Sequence, residues 1–163
     1  MAQSDHPGWW TRRIAHPIRV QLTQGITVEK IALTISLGLT LGIFPILGAT
    51  SLLSGLAAWA WRLNQPIIQG ITVLSFPLQV ILLIPFYRAG EWLFGASPVP
   101  LSIPLIIQRF FEDTGLFFRD YGMTGLRGIA VWVLLAPLAG TVLFFALKPS
   151  LKTMADGVRK LRV

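Results

Sequence analysis

The chain has 163 residues, of which 53% are hydrophobic and only 13% charged, with a net charge of +7. A soluble domain carries about one charged residue in four, so this composition argues against a free-standing soluble domain and asks for lipid or a partner to cover apolar surface. The chain has no cysteine, which excludes disulfides, thiolate metal sites and a cysteine nucleophile.

Residues 1–26 form a basic entry. Trp9 and Trp10 stand beside Arg12 and Arg13, a pairing that suits the headgroup layer of a membrane. The basic residues of the chain lie beside apolar runs and lack the aromatic-basic alternation of a nucleic-acid stacking platform, so phospholipid headgroups are the expected anionic partner and nucleic acid is not. His6 and His16 are the only histidines, and their spacing fits no common metal pattern. No metal or other cofactor is expected. The start has no apolar core of the signal-peptide kind, so the first membrane helix is expected to act as the insertion signal.

Residues 27–95 are expected to be the membrane core. Between Lys30 and Arg88 the only charged residue is Arg62, which is the signature of membrane-embedded helices. Thr27 is placed to cap a first helix from about Val28 to Phe44, with Glu29 in its first turn. Thr34, Gly38 and Gly42 recur every four residues and share a face. Ser51 with Gly55, and Ser54 with Ala58, repeat the small-residue device on the next segment. These spacings predict a tight hairpin between the two segments. The turn runs from Phe44 through Pro45 and Gly48 to Thr50, with neither charge nor a polar run to mark it as a solvated loop. The second segment, about Ala49 to Trp61, makes only about 20 Å at 1.5 Å per residue, against a hydrocarbon core of about 30 Å. Two arrangements stay open: two short full spans with the turn near the far interface, or a re-entrant hairpin. The length favours re-entry.

Trp59, Trp61, Arg62 and Asn64 end this segment at an interface, and Pro66 starts the next helix. The third segment, from about Pro66 to Phe94, is divided by Pro77 and Pro85. Gln65, Gln69, Thr72, Ser75 and Gln79 line one helical face. Such a face either makes inter-helix hydrogen bonds or lines a path, and the first reading is favoured. Tyr87, Arg88, Glu91 and Trp92 close the segment. Arg88 and Glu91 stand three apart and can pair. The pair is the best ionisable candidate for function.

Residues 96–127 combine a connector stiffened by Pro98, Pro100 and Pro104 with an amphipathic helix bent at Thr114-Gly115. Its basic residues Arg109, Arg119 and Arg127 balance Glu112, Asp113 and Asp120. Adjacent Glu112 and Asp113 point different ways on a helix and make a poor catalytic pair. Residues 128–163 hold an ordinary span, Gly128 to Leu147, kinked at Pro137. A basic amphipathic tail follows, with Lys148, Lys152, Arg159, Lys160 and Arg162 suited to an anionic leaflet. Both ends are basic, so both termini are expected on the cytoplasmic side of the inner membrane, with Arg62.

The segment GITVEKIALTISLGLTLGIFPILGATSLLSGLAAWAWRLNQPIIQGIT, with YRAGEWLFG further on, resembles the bacterial integral membrane proteins of domain-of-unknown-function family 2062 (DUF2062). The resemblance covers about residues 25–95. Gly38, Gly42, Pro45, Arg62, Asn64, Pro66, Tyr87, Arg88 and Gly90 are the positions that look like the family pattern. The sequence departs from it at Ser75-Phe76-Pro77, where the family carries an asparagine directly before the proline. The resemblance implies membrane location and assigns no activity.

The expected fold is therefore an all-α polytopic integral membrane protein, with proline-broken hairpins and amphipathic interfacial helices. The leading function is a small transporter, channel or lipid-handling protein, because broken helices at Phe44-Pro45 and Phe76-Pro77 can present backbone dipoles to a ligand. The alternative is a membrane scaffold or assembly factor, since small-residue faces also suit a homo-oligomer. An enzyme is not expected: no nucleophile set, phosphate-cradling loop or carboxylate cluster faces one site.

Overall fold

A computed structural model describes residues 27–102, 105, 108 and 111–160. The tryptophan-arginine entry, the two histidines, Pro104 and Arg162 lie outside them. Among the described residues all regular structure is helical, with no strand.

Helix α1 spans Val28–Gly42, and Thr27 caps it by accepting from the Lys30 N–H at 3.3 Å. It ends two residues earlier than its apolar run, because Pro45 cannot continue a helix. Gly48, at φ 86°, then starts α2, Ala49–Ala60. Arg62, at φ 51°, turns the chain. Asn64 caps α3, Gln65–Leu74, accepting from the Ile67 N–H at 3.1 Å, with Pro66 in the first turn.

The third expected segment breaks at Ser75, and α4 runs Phe76–Leu93 at 60° to α3. Pro77 supplies the reason. It has no N–H to give the carbonyl four residues back, and its ring crowds that carbonyl. Pro85 lies inside α4 without ending it. Beside the bend expected at Thr114-Gly115 the helix breaks at Asp113: residues 111–112 are helical, and a new helix starts at Thr114, where Asp113 Oδ1 accepts from the Leu116 N–H at 2.9 Å. From there one helix, α5, runs Thr114–Lys160 through Pro137 and Pro149. It joins the second half of the amphipathic stretch, the apolar run and the basic tail into one rod.

Helix α1 is central. α2, α3 and α5 pack on it, while α4 leans on α5. Ile31, Ala32 and Leu151 form one apolar core with Phe144 and Leu147; Ala57, Ala58, Leu63 and Ile68 form another beneath Leu33, Leu37 and Leu41. The glycine face of α1 does not meet α2 as the spacing predicted. A Cβ on Gly38 would come within 2.9 Å of Ile71 Cγ2, and one on Gly42 within 2.7 Å of Ser75 Cβ. The close partner is α3, which lies across the glycines, whereas the leucines of α1 face α2.

Large apolar side chains cover the outside: Trp59 is 78% exposed, and Leu52, Val73, Ile81, Leu134, Leu138 and Phe145 are also exposed. Helix α5 is long and apolar enough to cross a membrane, and the bent α3–α4 pair meets the same measure when taken together.

Candidate functional site

The two helix breaks meet. In the first, Phe44, Pro45 and Ile46 lie between α1 and α2, and Phe44 O accepts from the Ile46 N–H at 2.8 Å. In the second, Pro77 opens α4 and sets Gln79 one turn inside it. The Gln79 side chain is only 2% exposed, and its Nε2 donates to Phe44 O at 2.8 Å and Ile46 O at 3.3 Å. Tyr87, two turns on, donates its hydroxyl to Pro45 O at 2.8 Å. Thus three consecutive carbonyls are each bonded by a side chain of α4. The sequence led us to expect such carbonyls to be offered to a ligand; here protein donors take them. Phe44 also meets the Trp132 ring edge-on, with centroids 5.0 Å apart.

The polar face of α3 is likewise used internally. Gln65 Nε2 donates to Gly55 O at 3.0 Å and Gln69 Nε2 to Ser51 O at 2.9 Å, tying α3 to α2. Thr72 Oγ1 donates to Ile68 O at 2.9 Å and lies 3.4 Å from Gly38 O. Ser75 Oγ donates to Ile71 O at 2.8 Å. These residues make inter-helix and local hydrogen bonds, as the favoured reading of the face had it.

Arg88 and Glu91 pair at 2.7 Å, and Glu91 is 2% exposed. The second carboxylate oxygen accepts from the Val99 N–H at 2.9 Å, and the Glu91 carbonyl accepts from the Ala96 N–H at 2.8 Å. The carboxylate therefore pins the proline connector to α4. Gly90 beside it lets α5 approach so closely that a Cβ would lie 2.6 Å from the Arg127 carbonyl carbon. Between the connector and α5 lies a cavity of about 500 Å³, with Arg119, Tyr121 and Arg127 in its wall. Arg62 is exposed, and Gly48, Asn64, Pro66 and Pro77 serve the turns. Among the described residues no group of three or more His, Asp or Glu side chains could hold a metal.

A second opening lies elsewhere, between α1 and α5. It is a groove of about 590 Å³, walled by Leu33, Leu37, Ala136, Gly140, Phe144 and Phe145. Two of its hydroxyls are turned onto their own helices: Ser36 donates to Ala32 O at 2.8 Å and Thr141 to Pro137 O at 2.7 Å. Thr40, 5% exposed, carries a hydroxyl with no partner among the described residues, although its carbonyl accepts from Trp132 Nε1 at 3.2 Å. Glu29 and Lys30 stand at the other end, and Lys148 reaches Glu29 at 3.3 Å. Sequence reading did not single out this groove, because its walls come from helices about a hundred residues apart. One signal was present. Trp132 is an N–H donor in an uncharged run and needs a partner from another helix.

The family model described as an uncharacterized protein conserved in bacteria (DUF2062) matches residues 9–157, well beyond the stretch that carries the resemblance. The chain belongs to that family. No curated protein and no solved structure matches it.

Proposed function

We propose that the chain is a polytopic protein of the bacterial inner membrane, with both termini cytoplasmic, and that it holds lipid rather than conducting ions. The observation that carries this is the α1–α5 groove: an apolar, laterally open channel on a molecule whose outer surface is also apolar. The two helix breaks count against an ion pathway, because their carbonyls are occupied by Gln79 and Tyr87.

The levels of the helices support a hairpin that enters from the cytoplasmic side. Lys148 marks one level of α5 by pairing with Glu29, and Trp132 marks another by bonding Thr40. Along α1 these levels, at Glu29 and Thr40, are roughly 17 Å apart at about 1.5 Å per residue, against a hydrocarbon core of about 30 Å. The turn of α1 and α2 then sits deep; protein covers its Pro45, and Gln79 and Tyr87 cover three of its carbonyls, while Ile46, Leu47 and Gly48 are exposed. Non-helical backbone at such depth needs that cover.

The test is to purify the full chain in mild detergent, extract bound lipid for mass spectrometry, and reconstitute it in liposomes for ion-flux assays. Phospholipid retained in fixed proportion to protein, with no flux above empty liposomes, is the expected result. Selective ion flux from a lipid-free preparation would overturn the proposal. A stable partner protein in place of lipid would favour a scaffold.

A further inference from the structure

We infer that the α1–α5 groove seats one anionic phospholipid of the cytoplasmic leaflet, with an acyl chain between the helices and the headgroup at Lys30, Lys148 and Lys152. This rests on the lipid-holding reading and goes further by naming the leaflet, the headgroup charge and the residues.

Three observations carry it. The first is the lining. Leu33, Leu37, Ala136, Phe144 and Phe145 offer hydrocarbon, and Ser36 and Thr141 spend their hydroxyls on their own helices. An occupant along these walls meets almost no hydrogen-bonding atom, which suits an alkyl chain. The second is length. From Glu29 to Thr40, at about 1.5 Å per residue, the groove runs for roughly 17 Å, about the depth of one leaflet. The third is charge. Lys30 is exposed at the mouth, Lys148 pairs with Glu29, and Lys152 lies close enough to act on Glu29 electrostatically. Three lysines against one carboxylate leave a basic rim. Each lysine near a membrane surface favours anionic lipid by about fivefold.

The Thr40 hydroxyl at the far end is the apparent exception. Since every other hydroxyl of the groove is satisfied, it bears only on the last part of the chain, and it supplies a separate test.

The experiment uses the purified full chain, exchanged against equal amounts of phosphatidylglycerol and phosphatidylcholine, with retained lipid counted by native mass spectrometry. The wild type should keep phosphatidylglycerol over phosphatidylcholine by on the order of tenfold. Lys30→Gln with Lys148→Gln should bring that preference close to parity, and Glu29→Gln should raise it. Gly140→Leu, and independently Thr141→Phe at an exposed wall position, should lower retention of both lipids at least about fivefold while helical content and melting hold. Thr40→Val should keep or increase retention.

An unchanged preference in the double lysine variant, or full retention in a folded groove-filled variant, would overturn the inference and leave lipid holding at another place. Loss of lipid in Thr40→Val would overturn the alkyl assignment by placing a polar group of the ligand at the floor. A wild type that keeps no lipid at all would remove the broader reading as well.

Discussion

Helix α1 has two faces built to opposite rules. Toward α3 it carries Gly38 and Gly42, and the backbones come so near that an added Cβ would meet Ile71 or Ser75. Toward α5 it carries Ser36 and Thr40, with Leu33 and Leu37 at the edge shared with α2, and about 590 Å³ stays open. The closed face is also the polar one: Thr72, Ser75 and Gln79 are buried there and bonded. The open face is apolar and holds the one buried side-chain oxygen without a partner among the described residues. Close approach brings backbone carbonyls within reach of side chains, so polar groups can be satisfied and the halves locked. An apolar gap binds by shape and burial alone and can be vacated. The contrast separates the part that holds the fold from the part free to hold something else.

The largest effect should come from violating the closed face. Gly42→Leu puts a side chain where Ser75 Cβ and Thr72 Cα lie 2.7 and 3.3 Å from the first added carbon. Backbone must move, at a cost of about 3 kcal/mol or more, and folded protein should be lost when helicity is followed on heating in detergent. A variant that melts like the wild type would mean that α1 and α3 do not lock there.

Removing the clamp on the turn comes next. Gln79→Leu keeps the bulk but takes the side-chain donor from Ile46 O and from Phe44 O, which keeps only the Ile46 N–H, and should cost about 2 kcal/mol. Tyr87→Phe removes only the hydroxyl that reaches Pro45 O and should cost about 1 kcal/mol. The same melting series ranks the two. The double variant also checks whether they act on one structure: a shared turn predicts a loss that departs from the sum of the singles.

How far this contrast was legible in the sequence follows from what each side is made of. The helix ends were readable because their chemistry is local. Thr27, Asn64 and Pro66 act within one turn, and the chain breaks where Pro45 and Pro77 forbid continuation. The Arg88–Glu91 pair was readable for the same reason. The partner of the Gly38–Gly42 face was not. A small-residue spacing says that something approaches closely but not which helix, and the nearest repeat in sequence, on α2, was the wrong one. The contacts of Ile71 and Ser75 decide the matter, because they lay α3 across the glycines. The continuity of α5 was hidden because Gly115 read as a bend and the apolar run from Gly128 as a separate span, although one helix runs through both. The groove was out of reach altogether, since a gap between α1 and α5 leaves no mark on the periodicity of either.

The smallest effect, and the only one expected with the opposite sign, is on the open face. Thr40→Val replaces a buried hydroxyl that bonds nothing among the described residues with a methyl of the same shape. The side chain keeps its β-branch, and the Thr40 carbonyl keeps its bond from Trp132. What changes is the cost of burying an unpaired polar atom, about 1–3 kcal/mol when nothing compensates it. The gap beside it relieves part of that cost, so stability should rise by about 1 kcal/mol or less, read as a small increase in melting temperature. A clear decrease would mean that the hydroxyl has a partner in the folded protein, and the open face would then be polar at its floor and built by the same rule as the closed one.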